Sequence, residues 1–373
     1  MLHIGVDIRD LRIAKTGART YLEELVREFK LLEDDQVCFH FFDTSFPVYT
    51  GKNKFLKLIE HIRFITWKQL ILPTKAWSKK CDILFCSDFF VPYIHLGYKT
   101  IPVLHDAFFF EYPEHYNKVW LFLFKHLGIS SARRAYQIIT PTAYTRETIA
   151  HLSGIAKEKI IAIAEGPKTL IKTSESTHPV TNPLFQQRYL LHVGTMEIRK
   201  NIVSLLKAFL LLLQDDPQLK LVLIGQFSPK TDMDDKVAIQ EFIEVNNLNT
   251  EVIFPGYVPD ELLSTYYSKA LIYVFPSINE GFGIPILEAF DHQVPVVIAN
   301  NSCLPEVGGN AVLSFDPYDV QDIYSKISSL LNDPDKRANL VRKGTQRLAD
   351  FSWKITATEL LKIFKKSKLE KKK

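Results

Sequence analysis

Short apolar runs of β type recur along the chain, each followed by a longer stretch in which apolar residues return with helical spacing. The first series is His3–Asp7, Val37–Phe42, Asp82–Cys86, Thr100–Leu104, Gln137–Thr140 and Ile160–Ala164. The pattern restarts with Tyr189–Val193, Lys220–Ile224, Glu251–Phe254, Leu271–Phe275, Val294–Ala299 and Ala311–Phe315. Continuous apolar strands alternating with helices predict parallel sheets covered on both faces, an α/β architecture. Two series predict two doubly wound domains, and 373 residues suffice for two cores. Between the series lies EGPKTLIKTSESTHPVTN (165–182), whose Ser, Thr, Lys and Pro content reads as a linker. The predicted division is a domain over 1–165, a linker over 166–182, a second domain over 183–349, and a helix with a basic tail over 350–373.

Ligands of doubly wound sheets bind beyond the carboxyl ends of the strands. Here those ends carry Gly17, His105–Asp106, Gly194–Asn201, Gly225, Gly256 and Glu280–Gly283. Domains that face each other would bring these ends to one interdomain cleft. The run NEGFGIPILEAF (279–290) is the most specific: Glu280 and Glu288 flank a turn with Gly281, Phe282 and Gly283 that opens a helical pattern. Such a turn offers free N–H groups to an anion while the carboxylates accept hydroxyl hydrogen bonds. A sugar on a nucleoside diphosphate presents both partners.

LHVGTMEIRKN (191–201) ends a strand at Gly194 and Thr195 and then supplies Arg199 and Lys200. A guanidinium fork and an ammonium suit a diphosphate, although the pair taken alone reads as a solvated helix start. His105–Asp106, before the aromatic run Phe108–Phe110 and Tyr112, reads as a structural histidine or as a contact to a sugar hydroxyl at a reacting centre. Thr16 to Thr20, around Gly17, is equally a phosphate-binding helix start and a plain capped turn. Asp232-Met233-Asp234 has the spelling of a metal-binding Asp-x-Asp but sits in a polar loop, where a helix cap is the expected role, and no metal is assigned.

Composition narrows the classes. An apolar fraction of 46% with 24% charged residues is ordinary for a soluble globular chain, and a net charge of +4 is too mild to indicate nucleic acid. No apolar run reaches the roughly 18–20 residues that cross a bilayer, and MLHIGVDIRD reads as a first strand and not as a leader, so a cytoplasmic location is expected. Lys52 to Lys80 holds the single acid Glu60, and the chain ends in KKSKLEKKK. Within it, 55–72 reads as one amphipathic helix with Lys57, Arg63 and Lys68 beside Trp67, fit either for an anionic membrane surface on the inner face of the cytoplasmic membrane or for the core. Cys38, Cys81, Cys86 and Cys303 are scattered; buried reduced thiols are expected, and no Cys/His cluster has the spacing of metal ligands. Walker A, G-x-S-x-G and complete G-x-G-x-x-G signatures do not occur.

Taken together, NEGFGIPILEAF, LHVGTMEIRKN, IGVDIRDLRIAKTGARTY, VLHDAFFFEYPEHY, RRAYQIITPTAYTRETI and SCLPEVGGNAVLSFDP resemble, in order and spacing, the GT-B retaining glycosyltransferases of family 4. The likeness covers nearly the whole chain and is nearest to bacterial enzymes of cell-surface polysaccharide, mannosyltransferases among them. It implies two Rossmann-like domains, the first for the acceptor and the second for the nucleotide sugar, with the C-terminal helix returning to the first. It implies that Glu288 holds the ribose hydroxyls and that Glu280 contacts the donor sugar with the N–H groups of Gly281, Phe282 and Gly283. Arg199 and Lys200 then stabilise the departing diphosphate in place of a metal, so no cofactor is expected. His105 lies near the sugar, Gly17 lets the first loop approach the phosphates, and Gly194 and Thr195 belong to the phosphate loop. Backbone near Tyr257 and Val258 could read guanine or uracil, giving a GDP- or UDP-hexose donor, and the acceptor is a glycan or lipid-linked sugar. The pattern departs at Arg19, where a second glycine is usual, which makes Arg19 and Asp106 acceptor-side candidates. It departs again at His292-Gln293, where small residues and Gly are usual. Two other readings remain: a non-catalytic GT-B subunit of a transferase complex, and a nucleotide-sugar epimerase.

Overall fold

The computed structural model describes residues 1–14, 17–51, 53–116, 118–170, 182–227 and 233–370. Most of the expected linker (171–181), together with Thr16, Lys52, Asp232 and the last three lysines, lies outside the described residues. The chain divides into two compact units, Met1–Glu165 with Trp353–Lys373, and Gly166–Ser352.

The first unit is built on β1 (Leu2–Asp7), β2 (Val37–Phe42), β3 (Ile83–Cys86) and β4 (Lys99–Pro102), in the order β2-β1-β3-β4 and all parallel. A parallel pair, β5 (Ile138–Thr140) and β6 (Ile160–Ala162), continues beyond β4, because the Leu104 N–H donates to the Ile139 carbonyl at 2.8 Å. Ile4, Val6, Leu25, Phe29 and Phe85 are wholly buried around this sheet. The helix Trp353–Leu369 packs in the same unit: Phe364 lies against Phe29 and Phe85, and the Thr356 hydroxyl donates to the Ala164 carbonyl at 2.7 Å.

One expectation about this unit is corrected. The basic segment is not one helix but a helix over Lys54–Thr66, a π-helical turn over Trp67–Ile71, and a helix over Leu72–Ser78. The change of winding turns Trp67 and Lys68 inward. Lys68 is fully buried, and its ammonium donates to Asp7 at 2.6 Å and Asp88 at 2.8 Å at the ends of β1 and β3. Burial would lower the ammonium's pKa, but the two carboxylates hold it well above its ordinary value. The tail is likewise helical through Leu369, with Ser367 buried and Lys368 paired to Asp82 at 2.9 Å. One Cys/His group comes together in space although its sequence spacing is not that of metal ligands. Parallel pairing sets His3 opposite Cys38, and His40 shares the Cys38 face two residues along β2, so side chains far apart in sequence meet. Cys81, Cys86 and Cys303 are buried free thiols as expected, while Cys38 is half-buried.

The second unit holds a six-stranded parallel sheet: β7 (Tyr189–Val193), β8 (Lys220–Ile224), β9 (Val252–Gly256), β10 (Ile272–Phe275), β11 (Val296–Ala299) and β12 (Val312–Phe315). Its order is β12-β11-β10-β7-β8-β9. The chain winds from β7 outward through β8 and β9, then returns to the other side of β7 and winds outward through β11 and β12. The strand order therefore reverses between β7 and β10, and the loops leaving those two strands part there. Leu190, Leu191, Val222, Val274 and Val297 are wholly buried, as strands covered on both faces require. Gly225, just past β8, has φ +143°, and a Cβ there would stand 1.8 Å from the Gly194 carbonyl oxygen. The two strand ends cross so closely that only glycine fits. Among the described residues no helix is long and apolar enough to cross a membrane.

Candidate active site

The site of the second unit grows from the switch point between β7 and β10. After β7 the chain turns at Gly194 and Thr195, Met196 pairs with Phe227, and the Ile198–Lys200 turn leads through left-handed Asn201 (φ 57°) into the helix Ile202–Asp215. Asn201 fixes this turn by donating from Nδ2 to the Pro317 carbonyl at 2.8 Å and the Pro276 carbonyl at 3.3 Å. After β10 the loop bearing Glu280 is tied to the same turn, with the Ile278 N–H on the Arg199 carbonyl at 2.8 Å. The Cys303 thiol donates to the carbonyls of Glu280 at 3.1 Å and Phe282 at 3.2 Å. Gly283, with φ +104°, starts the helix Ile284–Asp291, where Pro285 carries no N–H and the Ile286 N–H donates back to the Gly283 carbonyl at 3.0 Å.

Two cations meet one acid there. Arg199 Nη1 lies 2.9 Å from Glu280 Oε2, and Lys200 Nζ lies 2.5 Å from Glu280 Oε1. Arg199 Nε also donates to Glu197 at 2.8 Å, and Lys200 sits 5.1 Å from the centre of the Phe275 ring. All three groups are largely buried. Burial acts to raise the Glu280 pKa, yet Arg199 and Lys200 outweigh it and pull the carboxyl down to about 2. Burial lowers the Lys200 ammonium, with Glu280 opposing. Beside them, burial and Lys200 push His192 down to about 4, so it is neutral. Its Nδ1 donates to the Val274 carbonyl at 3.0 Å.

Glu288, on the helix, is 6% exposed, and its Oε2 accepts from the Tyr267 hydroxyl at 2.7 Å. Burial raises its pKa to about 7 against the pull of Tyr267 and Lys168; Lys168 itself pairs with Asp260 at 2.7 Å. Glu280 and Glu288 thus share a loop and helix but differ sharply in electrostatic state, one a permanent anion between cations and the other titrating near neutrality. At the unusual DHQVP turn, His292 donates and accepts between the Glu288 carbonyl (2.8 Å) and Ser264 (2.9 Å), and Gln293 takes the left-handed conformation (φ 57°) where glycine is common. Tyr257, after Gly256, is 70% exposed, and Val258 is buried.

In the first unit, His105 follows β4 as expected, but both ring nitrogens are engaged. Nδ1 lies 3.2 Å from Glu165 and Nε2 lies 3.0 Å from the Ser87 carbonyl, with Tyr21 edge-on at 4.7 Å. Burial opposes the charged ring, but Glu165 outweighs it, and the pKa is raised. Both ring nitrogens face protein acceptors, a setting that favours the charged ring. Asp106 accepts from the Phe108 N–H at 3.0 Å at the start of the turn Phe108–Glu111. Gly17 is the first residue of the helix Gly17–Leu31, and Arg19 pairs with Glu23 on its exposed face at 2.7 Å. Asp234 caps a helix by accepting from the Lys236 N–H at 3.1 Å. In the second unit, residues without a sequence signal surround the acids: Tyr267 and Lys168 around Glu288, Cys303 under the Glu280 loop, and His192 beside Lys200; in the first unit, Glu165 holds His105. All but His192 are remote in sequence from the group they serve.

Two parallel doubly wound units with this loop chemistry define a GT-B glycosyltransferase. Solved structures share the fold. Sucrose-phosphate synthase from Thermosynechococcus elongatus superposes with a TM-score of 0.75 at 17% identity, covering 98% of this chain and 99% of that one. Anabaena Alr3699/HepE, solved in complex with UDP and glucose, gives 0.69 at 15% identity, covering 98% and 100%. Residues 174–347 match the model of glycosyl transferases group 1. The O-antigen chain mannosyltransferase B of Escherichia coli is 32% identical over 299 residues, 78% of this chain and 77% of the relative. The O-antigen chain mannosyltransferase RfbU of Salmonella typhimurium is 28% identical over 294 residues, 77% and 74% of the two chains. The chain belongs to the group 1 glycosyl transferases.

Proposed function

We propose that this enzyme moves a hexose, mannose first among the candidates, from a nucleoside-diphosphate sugar to a glycan or lipid-linked acceptor in cell-surface polysaccharide synthesis, with retention of anomeric configuration. The observation that carries the reading is the pair Arg199 and Lys200 fixed on Glu280 at the switch point of the second unit. The bond from the sugar's anomeric carbon to the diphosphate breaks and leaves its electron pair on the departing phosphate oxygen. The acceptor hydroxyl adds on the same face, and its proton passes to that oxygen. Arg199, Lys200 and the backbone of the Gly281–Gly283 turn stabilise the growing negative charge, the work a metal does elsewhere, so the reading assigns no metal to the reaction. Glu280 contacts the sugar and Glu288 takes the ribose hydroxyls. The carboxylates serve as acceptors, and neither acts as the nucleophile.

A thermal-shift screen of GDP, UDP and ADP with their hexose conjugates tests this. One nucleoside diphosphate is expected to raise the unfolding midpoint by an amount that grows with concentration. Its sugar conjugate should release nucleotide only when acceptor is added; release of an altered sugar without acceptor would mean an epimerase, and no binding at all a non-catalytic subunit. Membrane contact belongs to the same proposal. Phe55, Leu58 and Ile62 are exposed on the helix Lys54–Thr66 with Lys57 and Arg63 alongside, an apolar strip edged by positive charge. Flotation with vesicles is expected to recover the protein on anionic lipid and not on neutral lipid; Phe55→Ser/Ile62→Ser should lose that recovery.

A further inference from the structure

We propose that His3, Cys38 and His40 form a binding site for a zinc-class divalent cation on the first sheet. The three ligand atoms all lie within 4.8 Å of one another. His3 Nδ1 stands 3.1 Å from His40 Nε2, and Cys38 Sγ stands 3.8 Å from the same nitrogen. A tetrahedral zinc with bonds of about 2.0–2.1 Å to nitrogen and about 2.3 Å to sulfur sets neighbouring ligands roughly 3.4 Å (N to N) and 3.6 Å (N to S) apart. The two separations at His40 therefore need shifts of only a few tenths of an ångström, and the His3–Cys38 pair, within 4.8 Å, closes by at most about 1.2 Å. The two imidazoles are nearly coplanar, 8° between planes with centroids 5.4 Å apart, so they face each other edge to edge through the two nitrogens. One N–H occupies that gap in the metal-free protein. The ion displaces this proton and that of the Cys38 thiol, and the rings swing so that their lone pairs converge beside the sulfur.

Backbone pairing supplies the pre-organisation. β1 and β2 are hydrogen-bonded in parallel with His3 opposite Cys38 and Gly5 opposite His40, so the three side chains emerge from one face of two adjacent strands. At Gly5, between the histidines, the same face carries no side chain. All three residues are half-buried, which leaves an entry path and a fourth position for water. Glu33 stands against the Cys38 thiol and accepts from the Phe39 N–H at 2.9 Å, supplying negative charge beside the cation. Cysteine with two imidazoles favours zinc and its cobalt substitute over magnesium or calcium. β2 is the edge strand of its sheet, so the ion would pin that edge to β1.

The test uses the full-length protein stripped with chelator and titrated with Co²⁺ and then Zn²⁺. The wild type is expected to bind about one equivalent of Co²⁺ with the near-ultraviolet charge-transfer absorption of a cobalt–thiolate bond, which Zn²⁺ then abolishes. Cys38→Ser should lose that band, and His40→Gln should bind at least about tenfold more weakly. Zn²⁺ should raise the unfolding midpoint of the wild type and leave that of Cys38→Ser unchanged. Transfer activity of Cys38→Ser should match the wild type, since none of the three ligands is among the residues assigned to the transfer reaction. A wild type without the thiolate band, whether or not the variants fold, overturns the site and leaves a plain His–His hydrogen bond. Equal metal affinity in wild type and Cys38→Ser overturns it as well.

Discussion

Glu280→Gln and Lys200→Met are expected to shift the affinity for free nucleoside diphosphate in opposite directions while both abolish most of the transfer activity. In the wild type Glu280 holds a full negative charge between Arg199 and Lys200, so the cations are partly neutralised before any ligand arrives. Glu280→Gln removes that competitor, and the nucleoside diphosphate should bind roughly tenfold more tightly, about 1.4 kcal/mol. Turnover should nevertheless fall by about 10²-fold or more, because the donor sugar loses its contact and the product leaves slowly. Lys200→Met removes one of the charges that meet the departing diphosphate. The loss of one such stabiliser is worth about 10²–10³ in turnover, and nucleotide affinity should fall with it. Both variants disturb a largely buried ion cluster, and Glu280→Gln leaves two cations facing each other, an effect on the order of 3 kcal/mol on folding. Circular dichroism should therefore establish that each variant is folded before calorimetry with the nucleotide. Affinity changes of the same sign in the two variants would refute the competition between Glu280 and the diphosphate.

The extent to which this site is legible in the sequence depends on how each residue is recruited. The twelve strands of the described residues are readable, because a parallel strand buried on both faces writes its burial into a continuous apolar run, as most of them do. Glu280, Glu288, Arg199 and Lys200 are readable because they follow strand ends at a fixed distance along the chain. The other groups that pack against them are not. Tyr267 reaches Glu288 from the helix Asp260–Lys269, and Cys303 reaches the Glu280 loop from beyond β11, through contacts that only the fold creates. Lys68 misleads for a related reason. Periodicity extended through a π-helical turn puts it on the solvent face, whereas Asp7 and Asp88 draw it inward. His3 and Cys38 are joined by strand register, which no linear spacing reveals.

Glu288→Gln is expected to make the protein more stable at alkaline pH and nearly unable to hold its nucleotide. The Glu288 carboxyl titrates at about 7 in the folded state, raised by burial from an ordinary 4.5. Between those values the native state keeps a proton that the unfolded chain has released, so stability falls as pH rises from about 4.5 through 7 and is level beyond. A shift of that size corresponds to an unfavourable contribution of about 3 kcal/mol above pH 7. Glutamine keeps an oxygen for the Tyr267 hydroxyl and carries no charge, so the variant should gain up to that amount at pH 8 and nothing at pH 4.5. For a unit of this size each kcal/mol moves the midpoint by roughly 2–4 °C, which scanning calorimetry across pH resolves. Binding should move the other way. Ribose hydroxyls donate to an ionised carboxylate more strongly than to an amide, each such bond being worth about 1.5–3 kcal/mol, so affinity should drop on the order of 10²-fold. In the wild type the nucleotide should bind more weakly as pH falls below about 7 and the carboxylate is protonated, and Glu288→Gln should lose that dependence. A variant that binds nucleotide like the wild type at pH 8 would remove Glu288 from the donor site. One that is less stable at pH 8 would mean that the buried charge is compensated by more than Tyr267 and Lys168. The strain at Glu288 is thus the cost of a buried acceptor kept ready for a ligand, and its relief and the loss of function should appear in the same molecule.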